Sequence, residues 1–189
     1  MPPHDPAIAE ARFYIAECEF AQGDYLTASR DFRRMADDNP EHPLAADALL
    51  RSGDALAELW QHPDLDPTYG DNAMATYQEL AGRYPGTLAA ERAKVRGAVV
   101  IDRLALKDLN NGIFYLRLGA YDPAVLYFKD VFKRYTQSRY APDALVKLVE
   151  AYRHMGYDDE ARQACAFLRQ NYPNAAGLAT VCPAAPPSH

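Results

Sequence analysis

Signatures of catalysis are missing from this 189-residue chain, which holds no HExxH, no GxSxG, no P-loop and no GxGxxG. The zinc-protease, serine-hydrolase and nucleotide-binding classes therefore have no anchor in it. Its five histidines are scattered, with His4 and His189 in the termini, His42 and His62 beside prolines and His154 near a helix end. A solitary loop histidine is far more often solvated than a ligand. Long apolar runs are missing too. No stretch nears the roughly 20 residues that span a bilayer, and residues 1–25 lack a basic head followed by an apolar segment, so the sequence as it stands is not expected to enter a membrane. Cysteine is scarce: Cys18, Cys165 and Cys182 show no metal spacing and leave one over in any disulfide scheme. Cys18 and Cys165 fall in helical patterns and read as small core residues, Cys182 as a free thiol in a tail. The expectation is a protein without enzymatic activity and without a cofactor.

What is present is unevenly charged. The net charge is −6. Residues 1–88 carry 6 Lys/Arg against 16 Asp/Glu, and residues 89–153 carry 12 against 7. Such a dipolar chain implies either two solvated faces or different partners at its two ends.

The second positive feature is an internal repeat. Three stretches superpose on a glycine: Gly23, Gly119 and Gly156 each follow a helical run, each has an Ala five residues on (Ala28, Ala124, Ala161), and each has an apolar residue four further (Phe32, Phe128, Cys165). A glycine of positive φ closes the first helix and a small residue lets the second approach it. Leu145, Leu148, Val149 and Tyr152 form one face of a 3.6-residue period, and Pro173 stops the last helix. This is the helix-turn-helix grammar of the tetratricopeptide repeat, about 34 residues long. The small residue ahead of the turn is Ala16 in one unit and Gly112 in another. The expected fold is all-α, a right-handed solenoid of helix pairs.

Domain organisation follows from the irregularities. Residues 1–5 are expected to be disordered, with Asp5 as N-cap and Pro6 at the first helical position. The repeat domain covers 6–173, with units at about 6–40, 43–85, 87–136 and 138–173. The second unit starts at Pro43 and is interrupted by a loop at 61–71. The third has an overlong helix, with Asn110, Asn111 and Gly112 marking a weak point or kink near its middle. Residues 174–189, with three prolines and no period, are expected to be a disordered tail. Asp64, Asp66 and Asp71 in the loop invite comparison with a calcium loop, but Thr68, Tyr69 and Ala75 stand where such a loop needs a ligand, a glycine and a glutamate. The plainer expectation is that Asp66-Pro67 caps the next helix.

A repeat array offers a concave surface lined by its first helices. In the acidic half the inward positions are Glu10, Phe13, Glu17 and Phe20, then Asp47, Leu50 and Asp54. They predict an acidic groove with apolar anchors, suited to an extended segment with aromatic or aliphatic side chains and some positive charge. A second candidate surface gathers Arg117, Lys129, Lys133, Arg134 and Arg139 among Tyr115, Tyr121, Tyr127, Tyr135 and Tyr140. Helical repeats bury aromatics at fixed positions and the chain is acidic overall, so most of these rings are expected in the core and nucleic acid is not an expected partner.

The residues also carry a resemblance. DRLA at 102–105, YLRLGAY at 115–121, the Ala-Val pair at 124–125, ALVKLVEAY at 144–152 and Asn39-Pro40 before His42-Pro43 resemble the BamD or YfiO-type family of outer-membrane assembly lipoproteins over about residues 9–173. The resemblance implies a scaffold of the β-barrel assembly machinery at the periplasmic face of the outer membrane. Its implied partners are a BamA-like POTRA domain, bound by C-terminal repeats, unfolded outer-membrane protein segments, received by N-terminal repeats, and other lipoproteins of the machinery. Members carry a signal peptide, a lipidated cysteine and one more repeat ahead of the matched region, so the chain reads either as N-terminally truncated or as a soluble variant, and Cys18 is not to be assigned as the lipid site. The alternatives are another periplasmic tetratricopeptide protein, of cell-envelope division or peptidoglycan coordination, and, further off, a metal-binding or enzymatic domain using the acidic loop.

Overall fold

The structure, a computed structural model, describes residues 6–183. Among these the chain is helical throughout: α1 Pro6–Ala21, α2 Tyr25–Asp38, α3 Ala45–Leu59, α4 Thr68–Arg83, α5 Leu88–Arg117, α6 Tyr121–Arg134, α7 Ala141–His154, α8 Asp158–Asn171 and a single turn, α9 Leu178–Val181. It divides inside α5 into two compact units, one ending at Ile101 and the other beginning at Asp102.

In the N-terminal unit, Gly23 takes φ +83° to end α1, and the Asp24 carboxylate accepts the Thr27 N–H to start α2. The stripe Ala9, Phe13 and Ala16 is buried against Ala28 and Phe32 of α2, with the two phenylalanine rings 5.4 Å apart. Serines bring α2 and α3 together: the Ser52 hydroxyl donates to the Ser29 carbonyl at 2.9 Å, deep in the core. Gly53 of α3 lies under the Tyr77 ring of α4, where a methyl group would collide.

Two boundaries differ from expectation. Pro43 lies in the turn ahead of α3, which begins at Ala45. The interrupting loop ends earlier than 71, because Pro67 leads directly into α4 at Thr68, whose N–H is accepted by Asp66 at 2.9 Å. Trp60 closes this loop. Its indole is 1% exposed over Gly70, and its Nε1 has no hydrogen-bond partner among the described residues.

In the C-terminal unit the expected face of α7 is all buried, Leu145, Leu148, Val149 and Tyr152 alike. Gly119 and Gly156 take φ +74° and +73° at the two interhelical turns. The overlong helix has no break at Asn110-Asn111-Gly112; α5 runs through as 30 residues. The reason is packing. Gly112 is where the Phe128 ring meets the helix backbone, and that fully buried contact outweighs the roughly 1 kcal/mol helix penalty of a glycine.

The cysteines also depart from expectation. Cys18 is exposed. Cys165 and Cys182 form a disulfide, so neither a free tail thiol nor a disordered segment describes residues 174–183. The sequence motif could not show this because the partner lies beyond Pro173, where periodicity ends. The expectations for residues 1–5 and 184–189, including Asp5 as N-cap, lie outside the described residues.

Candidate functional site

The residues read as an acidic groove in the N-terminal unit meet two different fates. Phe13 and Leu50 are 8% and 2% exposed, so they are core residues and present no anchor at the surface. Glu17 and Asp54 are on one face, but neither is free. Arg51 grips both oxygens of Glu17 at 2.5 and 2.7 Å and reaches Asp54 at 3.4 Å, while its guanidinium lies 4.0 Å over the Phe20 ring. Asp54 also accepts the Tyr77 hydroxyl at 2.9 Å and pairs with Arg96 of α5. Two carboxylates are thus matched by two guanidiniums. The face is a neutral, cross-braced polar network, and the expected acidity is confined to exposed Glu10 and half-buried Asp47. Burial, helped by the positive charge of Arg51, lowers the pKa of Arg96.

Arg51 was legible in principle, as the only basic residue between Arg34 and Arg83 in an otherwise acidic stretch. Four residues after Asp47 and three before Asp54, it shares their helix face. At the α1–α2 turn, Glu19 has one carboxylate oxygen buried without a partner among the described residues; burial, then Asp31 and Asp24, raise its pKa.

A second network joins α2 and α4. Arg33 donates to Glu79 at 2.9 Å and to the Thr76 hydroxyl at 3.1 Å, and Arg83 donates to Glu79 at 2.8 Å and Asp37 at 2.6 Å. Partial burial alone would raise the pKa of Glu79, but the hydrogen bonds from Arg83 and Arg33 outweigh it and hold that pKa low. The same carboxylates push Arg83 further up. In the loop, His62 Nδ1 stands 3.3 Å from Asp64.

The C-terminal unit distributes its charges otherwise. Arg117 and Lys133 are exposed, with no ion-pair partner among the described residues. Lys129 lies over the Tyr152 ring at 5.6 Å, Arg134 over Tyr135 at 5.1 Å, and Arg139 over Tyr140 at 5.0 Å while pairing with Asp102 at 3.4 Å. Of the five tyrosines expected mostly in the core, only Tyr135 is buried; the others are half-buried, with Tyr115 and Tyr127 stacked 5.6 Å apart. Beside them Phe114, Leu118 and Leu126 are 58, 65 and 65% exposed. Cations, half-buried aromatic rings and exposed apolar side chains therefore share this unit.

The candidate surfaces are built of ion pairs, aromatic rings and apolar side chains. Residues 2–167 match the family model described as YfiO, outer membrane lipoprotein. The chain is similar to the outer membrane protein assembly factor BamD of Caulobacter vibrioides, 32% identical over 149 residues, covering 79% of this chain and 49% of that protein. It is similar to BamD of Neisseria meningitidis serogroup A, 27% identical over 160 residues, with 78% and 58% covered. It is also similar to BamD of Vibrio cholerae, 32% identical over 108 residues, with 57% and 45% covered. The chain spans about half the length of the curated relatives it matches. With the family model matching most of its length, this all-helical chain belongs to the YfiO family of outer membrane lipoproteins.

Proposed function

We propose that the chain is a non-catalytic scaffold in the assembly of β-barrel proteins into the outer membrane, working at the periplasmic face. The observation that carries this reading is the family match across residues 2–167 together with relatives named as outer membrane protein assembly factors. A buried disulfide in the C-terminal unit supports the compartment, since such bonds persist in the bacterial periplasm and are rare in the cytosol.

The C-terminal unit is the docking face for a POTRA domain of a BamA-like subunit. Exposed Arg117 and Lys133 beside Phe114, Leu118 and Leu126 combine electrostatic steering with apolar area to bury. The N-terminal unit is the receiving face for unfolded barrel segments: Glu10 and Asp47 supply negative charge, Phe20 an aromatic edge, and Arg51 with Glu17 and Asp54 a polar rim able to pair with extended backbone. Other lipoproteins of the machinery are its further partners.

The test is capture of the full chain by the POTRA domains of the same organism's barrel-assembly subunit. Retention is expected, falling with salt and weakening about tenfold in Arg117→Glu/Lys133→Glu with the fold intact. A helical, monomeric chain that is not retained at low salt overturns the reading.

A further inference from the structure

Beyond Pro173 the chain turns back as a strap. Gly177 takes φ +84° close against Val146 of α7, and one turn of helix, Leu178–Val181, leads to Cys182. Four residues of helix cannot hold themselves in water. What holds them is the bond from Cys182 to Cys165 of α8 and two hydrogen bonds from the Arg169 guanidinium, to the carbonyls of Cys182 at 2.7 Å and Pro183 at 2.8 Å. Cys165 Sγ is also 3.6 Å from the Val181 carbonyl, a contact only, since a disulfide sulfur has no proton to donate.

Two clefts border the strap. One cleft of about 280 Å³ is lined by both bonded cysteines together with Arg153, Arg162 and Arg169. Another, of about 620 Å³, runs along Leu178 and Ala179. Arg162 is paired with Asp159, so three guanidinium groups face two carboxylates, Asp158 and Asp159; the balance stays positive by one charge, and a positive setting stabilises a thiolate as attacker and as leaving group.

We propose that the Cys165–Cys182 disulfide is a redox latch, opened by a protein dithiol that enters this arginine-lined cleft, and that opening releases the strap from the ends of α7 and α8. A thiolate of the dithiol bonds to one sulfur and the Cys165–Cys182 bond breaks, leaving a thiolate on the other. The second thiol of the dithiol then attacks the mixed disulfide. Two electrons pass to the cysteine pair, its two thiols take up the two protons that the dithiol gives up, and the dithiol leaves as a disulfide. Oxidised, the latch buries Val146, Cys165 and Cys182, which are 8, 7 and 4% exposed. The bond spans 17 residues, and losing it shifts the strap's opening equilibrium by about a hundredfold.

The experiment uses the full chain with Cys18→Ser, so that only the latch carries thiols. Dithiothreitol and a thioredoxin-type dithiol are the probes, without denaturant. Both are expected to yield two titratable thiols while helix content stays constant. Hydrogen exchange at 175–183 and around Val146 should then accelerate at least tenfold, with residues 25–59 as an unchanged internal reference. Cys182→Ser should show the same fast exchange with no reductant present. Arg153→Gln/Arg162→Gln should slow reduction severalfold while leaving exchange in the oxidised strap unchanged. The proposal is overturned if the thiols appear only in denaturant, if the reduced strap keeps its protection, or if the arginine variant is reduced at the wild-type rate.

Discussion

The two units are built from the same helix-pair grammar but are held by different forces. In the N-terminal unit charge is spent internally: Glu17, Arg51, Asp54 and Arg96 close one network, and Arg33, Asp37, Glu79 and Arg83 another. In the C-terminal unit apolar contacts, aromatic stacks and a disulfide bind the helices, with the Phe132 and Phe167 rings 4.9 Å apart and Tyr121 stacked on His154 at 5.1 Å. The net charge of a region therefore says little about the charge it offers to a partner. The acidic half has neutralised much of its inward face, and the less strongly charged basic half leaves Arg117 and Lys133 open.

The sharpest way to break this comparison is to remove one carboxylate from each unit. Asp54 has a side chain 10% exposed, touched by two guanidiniums and a tyrosine hydroxyl. Asp54→Ala leaves Arg51 and Arg96 facing each other without their shared counter-charge and should cost about 3 kcal/mol in urea unfolding. Asp102 in the C-terminal unit is 26% exposed, accepting the Ser138 hydroxyl at 2.7 Å and the Arg139 N–H at 3.1 Å to fix the α6–α7 turn. Asp102→Ala should cost only about 1 kcal/mol. Equal losses would mean that the N-terminal network is no more integral than an ordinary turn contact.

How much of this was legible in the sequence depends on whether a feature is local. Glycine turns, the Ala28, Ala124 and Ala161 packing positions and the buried face of α7 follow from short-range spacing, and they stand where that spacing puts them. Gly112 stands as the small residue that the repeat spacing asks for, but the kink read there is absent, for the opposite reason. In the sequence it is a helix-weakening residue beside two asparagines; in the fold it admits the Phe128 ring from another helix. The Arg51–Asp54 pair is local, three residues apart on one helix, but the pairing of Glu17 with Arg51, 34 residues away, and of Asp54 with Arg96 of α5 was invisible for the same cause. Periodicity places a residue on a face but cannot say which charge from another helix will meet it there. Cys182 marks the limit: past the last repeat there was no pattern at all, so its bond to Cys165 had no sequence signal.

A pair of glycines sharpens the contrast between packing and propensity. Gly112→Ala drives a methyl into the fully buried Phe128 ring, and the overpacking cost of about 1–3 kcal/mol should exceed the helix gain of about 1 kcal/mol. Gly82, in α4, has open space where its side chain would be, so Gly82→Ala should stabilise by about 0.5–1 kcal/mol. Thermal melts of the two variants should therefore move in opposite directions. Two shifts of the same sign would mean that the close approach of α5 and α6 at Gly112 is not tight.

The smallest effect tests the second network through pH. Glu79 keeps a folded pKa below its ordinary value because the hydrogen bonds from Arg83 and Arg33 outweigh the burial that opposes them. A carboxylate depressed in the folded state binds fewer protons there than in the unfolded chain. Its contribution is complete above the unfolded value, near 4.3, and is lost as the pH falls through the lower folded value. With a side chain 31% exposed, in reach of salt and water, the contribution is about 0.5–1 kcal/mol. Wild type should accordingly exceed Glu79→Gln in stability by that margin at pH 7, and the gap should close as the pH falls from the unfolded value through the lower folded one. High salt should narrow the gap at neutral pH, because part of it is the attraction of exposed charges. A gap that persists undiminished at pH 3 would assign the effect of Glu79 to its packing against Arg33 and Thr76, and ion pairing would then not be what joins α2 to α4.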